Sequence, residues 1–113
     1  MPSHPTVDIN LFVYNGADTV GAAIESVLAQ SWPAITLTLI DDRSTDRTID
    51  VLEGYAAEHA SIRVKRNRCN GGAIANFQRA FWFGDADYVM PKSGDDLIAP
   101  DFIERLIDRK SVV

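Results

Sequence analysis

The feature that most constrains this chain is its alternation between two hydrophobic periods. Val7, Ile9, Leu11 and Val13 recur at every second residue and stop at Tyr14-Asn15-Gly16, the pattern of a strand and its turn. Val20, Ala23, Ile24, Val27 and Leu28 then follow at helical spacing and end before Trp32-Pro33. Ile35, Leu37 and Leu39 alternate with threonines in a second strand that runs into Asp41-Asp42. Ser44 or Thr45 is expected to cap a helix carrying Ile49, Leu52, Tyr55 and Ala56. Ile62 to Lys65 reads as a short third strand. Asn70-Gly71-Gly72 precedes a helix with Ile74, Phe77 and Phe81 inward. Asp87 to Pro91 reads as a fourth strand and Ser93 to Asp96 as a turn. Pro100 opens a last helix with Phe102, Ile103, Leu106 and Ile107 on its apolar side.

Strands separated by a dozen residues or more of helix must pair in parallel, because hairpins need links of about two to five residues. The crossovers are right-handed by the general rule. The expected fold is therefore α/β, an open parallel sheet with helices on both faces. With 113 residues, the chain is one domain or part of one. An apolar fraction of 46% excludes intrinsic disorder, and no apolar run reaches the length of a membrane span. Sixteen acids against 11 bases leave a net charge of −5, which argues against nucleic acid as a partner. One cysteine, Cys69, makes no internal disulfide and lacks a catalytic motif. Met1 to Thr6 hold two prolines and no apolar stretch, so no signal peptide is expected and a cytoplasmic location follows.

Ligands of open parallel sheets bind beyond the carboxyl ends of the strands. Three polar clusters fall there: Tyr14-Asn15-Gly16, Asp41-Asp42-Arg43-Ser44 and Ser93-Gly94-Asp95-Asp96. One such cluster is ordinary loop polarity. Two adjacent acid pairs at one rim call for a compensating cation or donor, since like charges side by side repel. Asp95 and Asp96 suit a hard cation such as Mg²⁺ or Mn²⁺, which binds through one or two carboxylates plus phosphates and water. The plainer alternative is that they shape the turn before the last helix. Asp41 or Asp42 can accept hydrogen bonds from a ribose or a base, or simply form a turn ahead of Ser44 and Thr45. Tyr14 offers a flat face for base stacking, or packs at its strand end. Gly72, at a helix start, can present backbone N–H groups to an anion, although it lacks the spacing of a dinucleotide or P-loop motif. Arg63, Lys65, Arg66 and Arg68 are read as blunting an edge strand. His59, near a helix C-terminus, is read as a surface residue favoured by the helix dipole.

Taken in order, these segments resemble family 2 glycosyltransferases of the GT-A fold. The resemblance rests on Tyr14-Asn15-Gly16, on Ile24 through Pro33, on Ile40-Asp41-Asp42-Arg43-Ser44-Thr45-Asp46, on Asn70-Gly71-Gly72, on Asp87-Tyr88 and on Gly94-Asp95-Asp96. It spans about Val7 to Arg109 and implies a nucleotide-diphosphate-sugar donor, a divalent metal and a saccharide or lipid-linked acceptor, as in polysaccharide biosynthesis. It places Tyr14 and Asn15 at the nucleotide, Asp41 or Asp42 on the base or ribose, and Asp95 on the metal with Asp96 assisting. Residues 1–113 would then form the donor-binding part of a longer GT-A domain, with little or no transferase activity alone. A full-length protein of this kind could sit peripherally at the inner face of the membrane. An uncovered sheet edge would favour a homodimer. The chain departs from the family pattern in three places. Phe12-Val13 replace Pro-Thr, Ser93-Gly94-Asp95 supplies only the second acid of an Asp-x-Asp motif, and Asn76-Phe77-Gln78 replace Ala-Arg-Asn, leaving Arg79 as a loose substitute. Two other classes compete: a non-catalytic interaction module, and a phosphoryl-accepting receiver domain. The receiver reading wants a phosphorylatable Asp at the third strand end, where Arg66-Asn67 stand and count against it, and a Lys at a later strand end.

Overall fold

The computed structural model describes residues 4–67 and 86–112. In chain order these form β1 (Val7–Val13), α1 (Val20–Leu28), β2 (Ile35–Asp41), α2 (Thr48–Glu58), β3 (Ile62–Arg66), β4 (Tyr88–Ser93) and α3 (Phe102–Val112). The four strands make one sheet in the order β3-β2-β1-β4, and every pairing is parallel. The expected helix around Ile74, Phe77 and Phe81 lies outside the described residues.

Because β1 is central, its pairs fix which side chains share a face. Ile9 pairs with Leu37 and Met90, and Leu11 with Leu39 and Lys92. Val7, Ile9, Leu11 and Val13 form one core cluster with Val20, Ala23, Ile24 and Val27 of α1, Leu52 of α2 and Ile103 of α3. The three described helices thus cover the same face of the sheet. Burial of each large aliphatic side chain stabilises this layer by roughly 1.5–3 kcal/mol.

The opposite face of β1 is polar and buried. Asp8 accepts hydrogen bonds from the hydroxyls of Thr36 (2.9 Å) and Thr38 (3.2 Å), and its second oxygen lies 3.6 Å from the Arg63 guanidinium. Asn10 is fully buried, and among the described residues its amide has no hydrogen-bond partner. Such an orphan costs about 1–3 kcal/mol.

Three expectations need correction. Neither Ser44 nor Thr45 caps α2. The helix begins at Thr48, and Asp46 receives the Thr48 N–H instead (2.9 Å). Phe102 and Leu106 are exposed, so only Ile103 and the partly buried Ile107 of that set face inward. The basic side chains of β3 do more than guard an edge. Arg63 pairs with Asp8 and Arg66 with Asp41, each reaching a buried carboxylate on a strand further in. No helix among the described residues is long and apolar enough to cross a membrane.

Candidate functional site

The carboxyl end of β1 organises the rim. Its last two carbonyls bind the two flanking segments: Phe12 O accepts the Gly94 N–H and Val13 O accepts the Asp42 N–H, both at 3.0 Å. Asp42 and the Gly94-Asp95 turn therefore stand on either side of Val13, about 10 Å apart across two strand spacings. Two glycines permit this closeness. A Cβ on Gly94 would sit 2.9 Å from Val13 Cβ and 3.2 Å from Phe12 O, and one on Gly16 would sit 2.6 Å from Val13 Cγ2. Between β1 and β4 the strand order reverses, which is where a crevice opens in such sheets.

The loop after β1 is laced to the loop after β2. Asn15 adopts φ 51°, a region that asparagine tolerates better than most residues. Its Oδ1 accepts the Thr45 N–H at 2.8 Å and the Asp46 N–H at 3.3 Å, while its own N–H donates to Ser44 Oγ at 2.8 Å. Gly16 N–H donates to Thr48 Oγ1 and Ala17 N–H to Asp46 Oδ2. The Thr48 hydroxyl bonded to Asp46, with help from the Thr48 and Ala17 backbone N–H groups, holds that carboxyl below the usual range. Asn15 is thus committed to joining two loops. Tyr14, next to it, is 49% exposed.

The two aspartates at the end of β2, Asp41 within the strand and Asp42 just after it, are both buried. Asp41 accepts from the Ser44 hydroxyl at 2.5 Å, from the Ser44 N–H, and from Arg66 Nε at 3.1 Å. Arg66 also donates to Ser44 O, closing a ring of contacts. Asp42 accepts from Asn67 Nδ2 at 2.9 Å. Arg43, between Ser44 and these acids, is exposed and adopts φ 63°.

On the other side of Val13, Asp95 and Asp96 are exposed at the tip of β4. The Ser93 hydroxyl donates to Asp95 Oδ1. Beneath them lies Lys92, only 6% exposed, whose ammonium donates to Ser93 O at 3.1 Å and to Asp96 O. Burial pulls this lysine below its ordinary range, and the charges of Asp96 and Asp95 oppose that shift. The sequence reading passed over Lys92. Its signal is a lone cation directly after the run Tyr88-Val89-Met90-Pro91 and directly before Ser93-Gly94-Asp95-Asp96. Gly72 lies outside the described residues.

The structure therefore gathers Asn15, Asp41 and Asp42 on one side of the β1 end and Asp95 and Asp96 on the other, with Tyr14 directly after β1. Among the described residues no group of three or more His, Cys, Asp or Glu could hold a metal. The sequence model described as Glycosyl transferase family 2 matches residues 9–111. The chain belongs to glycosyl transferase family 2. This family 2 chain is 36% identical over 109 residues to a Bacillus subtilis (strain 168) protein named EpsE, covering 95% of this chain and 39% of EpsE. It is 33% identical to the succinoglycan biosynthesis protein ExoO of Rhizobium meliloti (strain 1021), covering 93% of this chain and 30% of ExoO. The chain thus spans well under half the length of these relatives. Its fold is that of the mannosyltransferase PcManGT from Pyrobaculum calidifontis, solved with GDP-Man and Mn²⁺ (TM-score 0.82, 19% identity, 93% of this chain and 32% of that one). S. aureus TarS 1–349, solved with UDP, is similar in the same way (TM-score 0.81, 20% identity, 91% of this chain and 31% of that one). The GT-A-type α/β fold expected from the sequence is the fold observed.

Proposed function

We propose that this chain is the donor-binding portion of a family 2 glycosyltransferase, taking a nucleoside-diphosphate sugar together with a divalent cation. The observation that carries the reading is that half-exposed Tyr14, directly after β1, and the exposed acid pair Asp95-Asp96, just beyond the neighbouring β4, share the carboxyl rim of the sheet. That placement suits a flat base and a charged diphosphate held at one rim.

The donor set at the acid pair fits Mg²⁺ or Mn²⁺. It is all oxygen, two adjacent carboxylates on a tight turn beside the Ser93 hydroxyl, and it leaves most ligand positions to phosphate oxygens and water. Asp95 would hold the cation and Asp96 would assist. When bound, the cation supplies positive charge where negative charge builds on the departing diphosphate, the electrostatic contribution that is usually largest in such steps.

The remaining roles follow from burial. Tyr14 stacks on the base. Asp42, buried and bonded to Asn67 at the β2 side of the rim, stands nearest the base or ribose. Asp41, with both oxygens taken by Ser44 and Arg66, acts as a positioning residue for the loop whose Ser44 and Thr45 hold Asn15. The acceptor is a saccharide or lipid-linked compound whose hydroxyl attacks the donor's anomeric carbon; the new C–O bond forms with inversion there as the bond to the departing nucleoside diphosphate breaks. Asp101 and Glu104 are exposed on or beside α3, and neither is assigned as the base.

Calorimetry with UDP, GDP and dTDP, with and without Mn²⁺, tests the reading. Binding of at least one nucleotide is expected to require Mn²⁺. Asp95→Ala is expected to weaken it by about tenfold or more, the loss that even an outer-shell partner of a metal causes. Absence of heat with all three would favour a non-catalytic interaction module instead.

A further inference from the structure

A buried lysine directly under a turn that carries two exposed carboxylates is an unusual foundation for a cation site. Lys92 pairs in register with Leu11, so its stem leaves β4 on the core face while its ammonium turns up beneath residues 93–96. We propose that Lys92 is a positioning residue that makes cation binding at this turn depend on the nucleoside diphosphate. The inference rests on the donor-binding reading above.

Two consequences of the geometry carry it. A turn ordinarily offers a hard cation its carbonyl oxygens as neutral ligands. Here Ser93 O and Asp96 O accept from the ammonium, and Asp95 Oδ1 already accepts from the Ser93 hydroxyl. The ammonium is also a fixed positive charge in a nearly dry position, where Coulomb interactions are least screened. It offsets one of the two carboxylates and repels an arriving divalent ion. The same charge attracts a diphosphate, which brings its own negative charge and its own oxygen ligands. Cation and diphosphate therefore raise each other's affinity, and the coupling is reciprocal.

The test measures free Mn²⁺ by its electron paramagnetic resonance signal, titrated into the chain with and without saturating UDP or GDP and corrected for Mn²⁺ held by free nucleotide. For the wild type, Mn²⁺ affinity is expected to rise about tenfold or more on adding nucleotide. In Lys92→Met, Mn²⁺ alone should bind about tenfold more tightly, and the gain from nucleotide should shrink accordingly. Lys92→Arg, which keeps the charge, should behave as the wild type. Lys92→Gln keeps donors for the two carbonyls without the charge, so it decides the matter where Lys92→Met does not fold, and the same tightening is expected. Mn²⁺ affinity that is unchanged or lower in Lys92→Gln, with nucleotide binding retained, would overturn the role of Lys92 and leave the donor-binding reading standing. Failure of the wild type to bind any nucleoside diphosphate would overturn both.

Discussion

Single residues at the rim show where stability and site shape diverge. Among the described residues, Arg43 holds a left-handed backbone without side-chain bonds like those that Asn15 makes in the same region. A non-glycine residue there costs roughly 1–2 kcal/mol, and glycine returns part of the difference because its unfolded chain is freer by about 0.5–1 kcal/mol. The strain is the larger effect, so Arg43→Gly is expected to raise unfolding stability by about 0.5–1 kcal/mol, read as a higher urea midpoint at unchanged slope. A fall in the midpoint would mean that the guanidinium makes contacts worth more than the strain. Residue identity was a poor guide at this scale. Asp41 and Asp42 read alike in the sequence, yet both are buried, and only coordinates show Arg66 and Ser44 closing on the first and Asn67 on the second. No local pattern reports a partner 25 residues away.

Elements were more legible than the residues that join them. The boundaries of β1 and α1 follow from period alone, because a central strand and a core-facing helix bury their apolar sets with little competition. The start of α2 did not follow, because the chain offers Ser44, Thr45 and Asp46 in succession and each is a competent cap. Tertiary structure decides among them: Ser44 is drawn to Asp41, the Thr45 N–H to Asn15, and Asp46 is left for Thr48. That assignment predicts a pH response. The Asp46 carboxyl is held below its ordinary value of 3.8, chiefly by the Thr48 hydroxyl, so its contribution to stability is present above 3.8 and lost as pH falls through the lower folded value. The N–H groups of Thr48 and Ala17, both bonded to this carboxylate, should therefore shift together in an NMR acid titration, with a midpoint below 3.8. In Asp46→Asn that transition should vanish, whereas an unaltered transition would assign it to another acid.

At the scale of the whole molecule, the two ends of the sheet are built for different purposes. The carboxyl end carries the exposed acids, the loop lacing and the aromatic face. The amino end, where Val7 meets Tyr88, carries an apolar cavity of about 190 Å³ lined by Val7, Tyr88, Val89, Met90, Ile103, Leu106 and Ile107. Among the described residues β4 is also a sheet edge, and α3 leaves Phe102 and Leu106 exposed, at 36% and 38%. Exposed apolar side chains on α3, with Leu106 at the mouth of an apolar cavity, favour contact with another apolar surface. Sedimentation of the chain is therefore expected to show concentration-dependent association. Leu106→Lys should reduce it, because a charge placed at the mouth of that cavity would have to be desolvated in any apolar contact. The same substitution should leave Mn²⁺-dependent nucleotide binding within about twofold of the wild type, since changes at distant sites without shared partners act almost independently. Equal association in Leu106→Lys would move the contact away from α3. Loss of nucleotide binding in that variant would show instead that the two ends of the sheet are coupled through β1 and β4, the described strands that run from the cavity to the rim.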